Sequence, residues 1–333
     1  MNPKPFKPRS GFQTGEPQRR PRPLHPKSDS DIRPNLQNFD LQHELDDDID
    51  QELPLARRRD GGKPPLRLFT TTLWEYPSQH YDAATAVGPT DPVQKPQVFL
   101  TGDRRRMQGD KNYIGATPSW VIWQLLQRYT REKDVIVDPM CGGGTTIDVS
   151  IDLGRLGRGF DLAPSRDDIQ QADARALPMK DQLADFVFID PPYSTHIEYS
   201  PDPRCIGKLD ALGDDGGEAY FLAMSQVINE IYRVLKPRRY MALYVSDTFR
   251  KRKTGIGVFS AIGFELFAML QERFRTIDII AVKRQNSKLQ RGNWHKSAEE
   301  GNFYMRGFNY LFIMKKEVAE GPQRKPVSNN QNR

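Results

Sequence analysis

The apolar run Ala184-Asp185-Phe186-Val187-Phe188-Ile189 ends on Asp190-Pro191-Pro192-Tyr193, and no other segment restricts the fold as much. Two consecutive prolines remove two backbone N–H donors and fix two φ angles, so a strand that reaches them must stop and turn sharply. The turn brings together a carboxylate, a carbonyl with no competing neighbouring donor and a flat ring. Those are the parts needed to grip a planar molecule that carries an exocyclic amino group. On its own the tetrapeptide also reads as a proline-stiffened surface turn, so the elements around it decide.

From Val135 onward, short apolar runs alternate with amphipathic stretches, the pattern of β-α-β units. Strands are predicted at Val135–Asp138, Arg158–Leu162, Ile169–Asp173, Phe186–Asp190, Tyr240–Ser246, Ile277–Val282 and Tyr310–Met314. Helices are predicted at Thr145–Leu153, Glu218–Leu235 and Val258–Arg273. In the second, Phe221, Met224, Val227, Ile228, Ile231, Val234 and Leu235 recur at helical spacing, and Lys236-Pro237 ends it. Ahead of the first strand, Thr117-Pro118 starts a further helix, with Thr117 as N-cap and Pro118 at the first helical position. The last two strands are joined without a helix. The pattern therefore predicts an α/β fold whose seven-stranded sheet is mostly parallel with an antiparallel pair at its end, the methyltransferase variant of the Rossmann-like fold.

Composition sets the limits of this domain. Within the 333 residues, positions 1–65 are dense in Pro, Arg, Gln and Asp and poor in apolar residues. Such a segment cannot bury enough apolar surface to offset its ordering entropy, which predicts disorder there and again over 319–333. The domain is expected to run from 66 to 318. A net charge of +6 leans towards an anionic partner, though many basic enzymes bind no nucleic acid. Two cysteines, Cys141 and Cys205, exclude a disulfide framework and a four-cysteine zinc site, and the five histidines make no paired metal spacing, so no metal is expected. No apolar run is long enough to span a bilayer, and the proline-rich start lacks the apolar core of a signal peptide, so the chain is expected to be cytoplasmic and to touch no membrane.

After the first strand the chain reads Asp138-Pro139-Met140-Cys141-Gly142-Gly143-Gly144-Thr145-Thr146. Glycines between strand and helix let a ligand approach the backbone and expose the helix N-terminal N–H groups. Neither the dinucleotide fingerprint nor a P-loop is present. A carboxylate just before the glycines would repel a pyrophosphate but suits a cationic, amine-bearing ligand. Asp161 and Asp173 close the next two strands, where acids can accept from a ribose diol and from an adenine amino group. Any one of them is also a turn former or a cap. Three in register, followed by Asp190, form a pattern.

These segments resemble the S-adenosylmethionine-dependent amino-methyltransferases that carry the DNA N4-cytosine/N6-adenine methylase signature. The glycine loop is similar to that family's cofactor loop, and Asp190-Pro191-Pro192-Tyr193 to its catalytic motif. Gly115-Ala116-Thr117-Pro118 resembles the element beside the methionine end of the cofactor. The resemblance implies S-adenosylmethionine as cofactor, held by Thr117, Asp138, Pro139, Cys141, Gly142, Gly144, Thr145, Asp161, Asp173 and Ala174. It implies that Asp190 and the carbonyl of Pro191 accept the two N–H bonds of the target amine, beside Pro192, while Tyr193 stacks on the base. A nucleic-acid partner follows, with DNA favoured. RNA stays open, because guanine-N2 methyltransferases share the loop and a similar motif. So does a catalytically silent nucleic-acid-binding protein on the same fold, although Asp190 and the glycines argue against it.

For substrate contact the sequence offers 194–217 and 283–306. The second interleaves Lys283, Arg284, Lys288, Arg291, Lys296 and Arg306 with Trp294, Phe303 and Tyr304, which suits phosphate contacts and base stacking or, equally, a solvated loop. Leu68–Tyr81 either packs over the cofactor side or reaches the substrate. His196 and Tyr199 either line the base pocket or shape their loop.

Overall fold

The computed structural model describes residues 63–88, 107–251, 257–285 and 287–318. The tails expected at 1–65 and 319–333 lie outside the described residues, except for 63–65. In chain order the elements are β1 (Leu73–Trp74), α1 (Ser119–Tyr129), β2 (Val135–Asp138), α2 (Thr145–Asp152), β3 (Leu156–Asp161), β4 (Ile169–Gln171) and β5 (Ala184–Ile189). There follow α3 (Glu218–Val234), β6 (Leu235–Val245), β7 (Thr248–Lys251), β8 (Gly257–Ser260), α4 (Ile262–Gln271), β9 (Arg275–Lys283), α5 (Gly292–Glu300) and β10 (Phe308–Lys315).

Among the described residues, eight strands form one sheet in the order β1-β9-β10-β6-β5-β2-β3-β4. Every neighbouring pair is parallel except those of β10, which runs antiparallel to both β6 and β9. β5 lies near the middle and all six of its residues are buried, as an unbroken apolar run with helices on both faces requires. Alternate side chains serve opposite layers. Val187 and Ile189 pack with Met241, Leu243 and Phe312 under α3 and α4, whereas Phe186 and Phe188 pack with Tyr244, Leu311 and Ile313 under α1. The sheet order reverses at β2, with β3 and β4 on one side and β5 and β6 on the other. The carboxyl ends of β2 and β5 therefore border the crevice where open α/β sheets bind ligands.

The expected sheet class holds, with local differences. An additional strand, β1, pairs with Ala281 and Val282 of β9; two residues are too short to show a period. The helix expected from Val258 begins at Ile262, because Gly257–Ser260 pair with Thr248–Lys251 as a separate hairpin. Part of 283–306, read as a loop, is helix α5, which buries none of its residues and so carries no apolar stripe to be seen. Thr117 does not cap α1. Pro118 occupies the N-cap position without a side-chain bond, since the Thr117 hydroxyl donates elsewhere.

Candidate active site

β2 delivers Asp138 to the crevice almost fully buried. Thr146 Oγ1 donates to its Oδ2 at 2.5 Å and the Met140 N–H to its Oδ1 at 3.1 Å. Burial nevertheless pushes the carboxyl up to about 7, against these two hydrogen bonds. Gly142 follows with φ +51°, and a Cβ there would lie 2.6 Å from the Tyr113 ring. Glycine is needed both for the left-handed backbone and for that approach. Gly144, also left-handed, is the N-cap of α2. Asp161, at the end of β3, accepts the Gly142 N–H (2.9 Å) and the Ala163 N–H (2.9 Å), so it braces the loop. Asp173, past β4, is held by the Arg175 guanidinium at 2.9 and 2.6 Å, which lowers its carboxyl below the usual carboxylate value. Oδ1 also accepts the Arg175 backbone N–H at 3.0 Å, so Oδ2 is the oxygen that keeps an acceptor direction for a ligand.

These residues line a cavity of about 850 Å³. Thr117, Asp138, Pro139, Cys141, Gly142, Thr145, Asp161, Asp173, Ala174, Asp190 and Pro192 all contribute to its wall. Gly144 stands behind it at the helix cap, and Pro191 and Tyr193 are not part of the wall. The structure adds Tyr113, Ser200 and Arg204, which sequence reasoning did not single out. Only Tyr113 had a signal, an aromatic residue two positions before the Gly115-Ala116-Thr117-Pro118 element.

At the end of β5 the Asp190 carboxylate accepts from Thr117 Oγ1 at 2.5 Å and from Tyr193 Oη at 2.6 Å. Burial pushes it up to about 7, while both hydrogen bonds and the charge of Arg284 pull the other way. The Tyr220 hydroxyl donates to the Pro192 carbonyl at 2.8 Å, which pins the turn against α3. Tyr193 faces a second, larger space rather than the cavity.

That space is a cleft of about 2860 Å³ to its open mouth, and it shares Tyr113, Gly115, Ala116, Asp190 and Tyr199 with the cavity. Asp190 thus stands at the junction of the two. Ser78, Gln79 and His80 reach the cleft, as do His196 and Tyr199, whereas Trp74, Tyr76 and Tyr81 are core residues. Lys283, Arg284, Trp294, Phe303, Tyr304 and Arg306 line its far wall. Phe249 of β7 stacks on Phe303 at 5.4 Å and 14°, which joins the hairpin to the segment after α5. The cleft combines cations with aromatic rings along its wall, a lining that suits a nucleic-acid strand. Among the described residues, no group of acids, histidines and cysteines is arranged to hold a metal ion, and no helix is long and apolar enough to cross a membrane.

Residues 184–332 match a family model described as a DNA methylase. No curated protein sequence matches the chain. Among solved structures it is similar to TrmN from Thermus thermophilus, at 15% identity and TM-score 0.40, over 61% of this chain and 50% of that one. It is also similar to a SAM-dependent methyltransferase from Methanosarcina mazei, at 16% identity and TM-score 0.37, over 59% and 98% of the two chains. A second Thermus thermophilus protein, provisionally assigned as a DNA modification methylase, aligns at 19% identity and TM-score 0.31, over 47% and 54%. The aligned part of this chain spans half the length of TrmN. The family match opens at Ala184, the first residue of the strand that carries Asp190, and runs through the last strand of the sheet. Over residues 184–332, less than half of its length, the chain is similar to the N6/N4 DNA methylases.

Proposed function

We propose that this chain transfers the methyl group of S-adenosylmethionine to an exocyclic amino nitrogen of a DNA base, adenine N6 ahead of cytosine N4. One observation carries the reading: Asp190 is shared by the cavity that the strand-end acids line and an open basic-aromatic cleft. The cavity suits a cation, because Asp138 is a buried carboxylate that gains from a positive charge beside it. S-adenosylmethionine supplies a sulfonium-bound methyl group and a protonated amine, with Asp161 placed for its ribose and Asp173 for its adenine.

An exocyclic amine is a poor nucleophile because its lone pair is delocalised into the ring. Asp190 and the Pro191 carbonyl each accept one N–H, which draws the nitrogen towards tetrahedral geometry and aims the lone pair at the methyl group. As the new C–N bond formed, the sulfonium–methyl bond would break and S-adenosylhomocysteine would leave. The nitrogen would become cationic, the negative charge of Asp190 would stabilise it there, and one amine proton would then pass to Asp190 or to solvent. In a duplex the base is flipped out into the cleft, where Tyr193 offers a stacking face. Asp at position 190 favours adenine through the family resemblance.

A second reading, RNA with guanine N2 as the acceptor, is supported by the modest size of the candidate recognition elements, which among the described residues amount to the β7–β8 hairpin and α5. The test supplies labelled S-adenosylmethionine with DNA and with total RNA, and identifies the methylated nucleoside by mass spectrometry. Label in DNA on an adenine or cytosine amine is expected. Label confined to RNA overturns the DNA assignment, and transfer to neither overturns the proposal.

A further inference from the structure

Among the described residues, four buried side-chain polar atoms lack a hydrogen-bond partner: His80 Nδ1, Trp120 Nε1, Arg306 Nε and Asn309 Oδ1. All four residues line the cleft. Buried polar groups are rarely left unpaired in a folded chain, since each costs stability when it loses water without gaining a partner. Their concentration in one cleft marks the place where partners arrive with a ligand.

Asn309 is the one tied to the reacting end. It lies on β10, is 5% exposed, and stands between the cleft and the Asp190 turn. Its Nδ2 donates to Tyr193 Oη at 3.5 Å, and Tyr193 Oη donates to Asp190 Oδ1 at 2.6 Å. The Asn309 side chain also hydrogen-bonds the Tyr244 phenol, so its amide end is turned towards two tyrosines. In this orientation the amide oxygen is left as a buried acceptor without a partner.

We propose that Asn309 couples base recognition to the catalytic carboxylate: its oxygen accepts an N–H from the edge of the target nucleobase, while its amide N–H keeps Tyr193 aimed at Asp190. The inference rests on the methyl-transfer reading above. A base without an N–H edge leaves Oδ1 unpaired, and a bound base completes a continuous chain from its own edge through Asn309 and Tyr193 to the oxygen that holds the amine. Asn309 and Tyr193 act as positioning residues for Asp190 through this chain. The other charged and titratable groups that face Asp190 are Arg284 after β9, Asp138 of β2, Tyr113 ahead of α1, Tyr199 after the turn, Tyr220 of α3 and Tyr244 of β6. None of them changes in the variants below.

The test compares Asn309→Leu, Asn309→Asp and Tyr193→Phe in steady-state methylation of an oligonucleotide across pH 5.5 to 9, with S-adenosylmethionine binding followed by calorimetry. Asn309→Leu is expected to raise the oligonucleotide KM by about tenfold through loss of one buried hydrogen bond. In Asn309→Leu and Tyr193→Phe alike, the acid limb of the kcat profile moves up by about one pH unit, because Asp190 has lost or loosened a donor. Asn309→Asp keeps an acceptor at the same place and recovers part of the KM, and cofactor affinity is unchanged in all three. An unchanged KM and acid limb in folded, cofactor-binding Asn309→Leu overturns this proposal alone. A wild-type protein that binds the cofactor but methylates no nucleic acid overturns the reading beneath it instead.

Discussion

Replacing Asp190 with Asn removes the charge and turns one of the two acceptor oxygens into an NH2 donor. The Thr117 or the Tyr193 hydroxyl, 2.5 and 2.6 Å from the carboxylate oxygens, must then turn to accept, while the amide oxygen still accepts an N–H. What disappears is the attraction between the carboxylate and the positive charge that grows on the amine. At hydrogen-bond distance, about 3 Å, and an effective dielectric of about 20, a full unit charge would interact by about 5.5 kcal/mol. With about half a charge developed in the transition state, the loss is about 2.8 kcal/mol, or about 100-fold in kcat. Asp190→Ala also loses the acceptor, a further kcal/mol or so, and should fall by about 10³-fold. The assay is single-turnover methyl transfer from labelled S-adenosylmethionine, with cofactor affinity measured separately and expected to stay close to that of the wild type. A kcat for Asp190→Asn within threefold of wild type would refute the claim that this carboxylate stabilises the charged amine.

Three other outcomes follow from the cavity. Asp161→Ala frees the Gly142 N–H and removes the ribose acceptor, so calorimetry should show cofactor affinity reduced by about tenfold or more with the fold intact. Cofactor binding near pH 7 should release a proton, because Asp138, held up to about 7 by burial, ionises when a cation enters. The sign is fixed: below pH 7 this carboxyl is protonated and affinity falls, and calorimetry in two buffers of different ionisation heat measures the proton. Gly142→Ala should weaken cofactor binding and lower the melting temperature, since its φ of +51° disfavours a side chain and its Cβ would meet the Tyr113 ring; an unchanged melting temperature and affinity would show that the loop tolerates both.

The parts legible in the sequence were those where one local rule dominates. β5 announces itself because both of its faces are buried, and its end because prolines admit no further pairing. α3 shows its stripe and stops before Lys236-Pro237. β6, in contrast, starts at Leu235, five residues earlier than expected, because Leu235 pairs with Ala184 ahead of a register shift that the prediction could not see. α5 hides for the opposite reason, since a helix that buries nothing has no apolar period. In the site, each strand-end acid is read from its own strand. The contact between Asn309 and Tyr193 joins residues 116 apart on different strands, and only the sheet brings them together.

The two halves of the site also differ in how firmly they are built. Asp190 is attached to a strand buried along its whole length, so exposing it requires opening the centre of the sheet. The hairpin β7–β8 belongs to a two-stranded sheet of its own, and α5 buries none of its residues. A lone hairpin is marginally stable. In mild denaturant the enzyme should therefore lose its grip on long substrates before it loses its chemistry. Hydrogen exchange would be fast in β7, β8 and α5 and slowest in β5. A protein built this way can change what its cleft recognises by altering the outer wall, while the strand that carries Asp190 stays as it is.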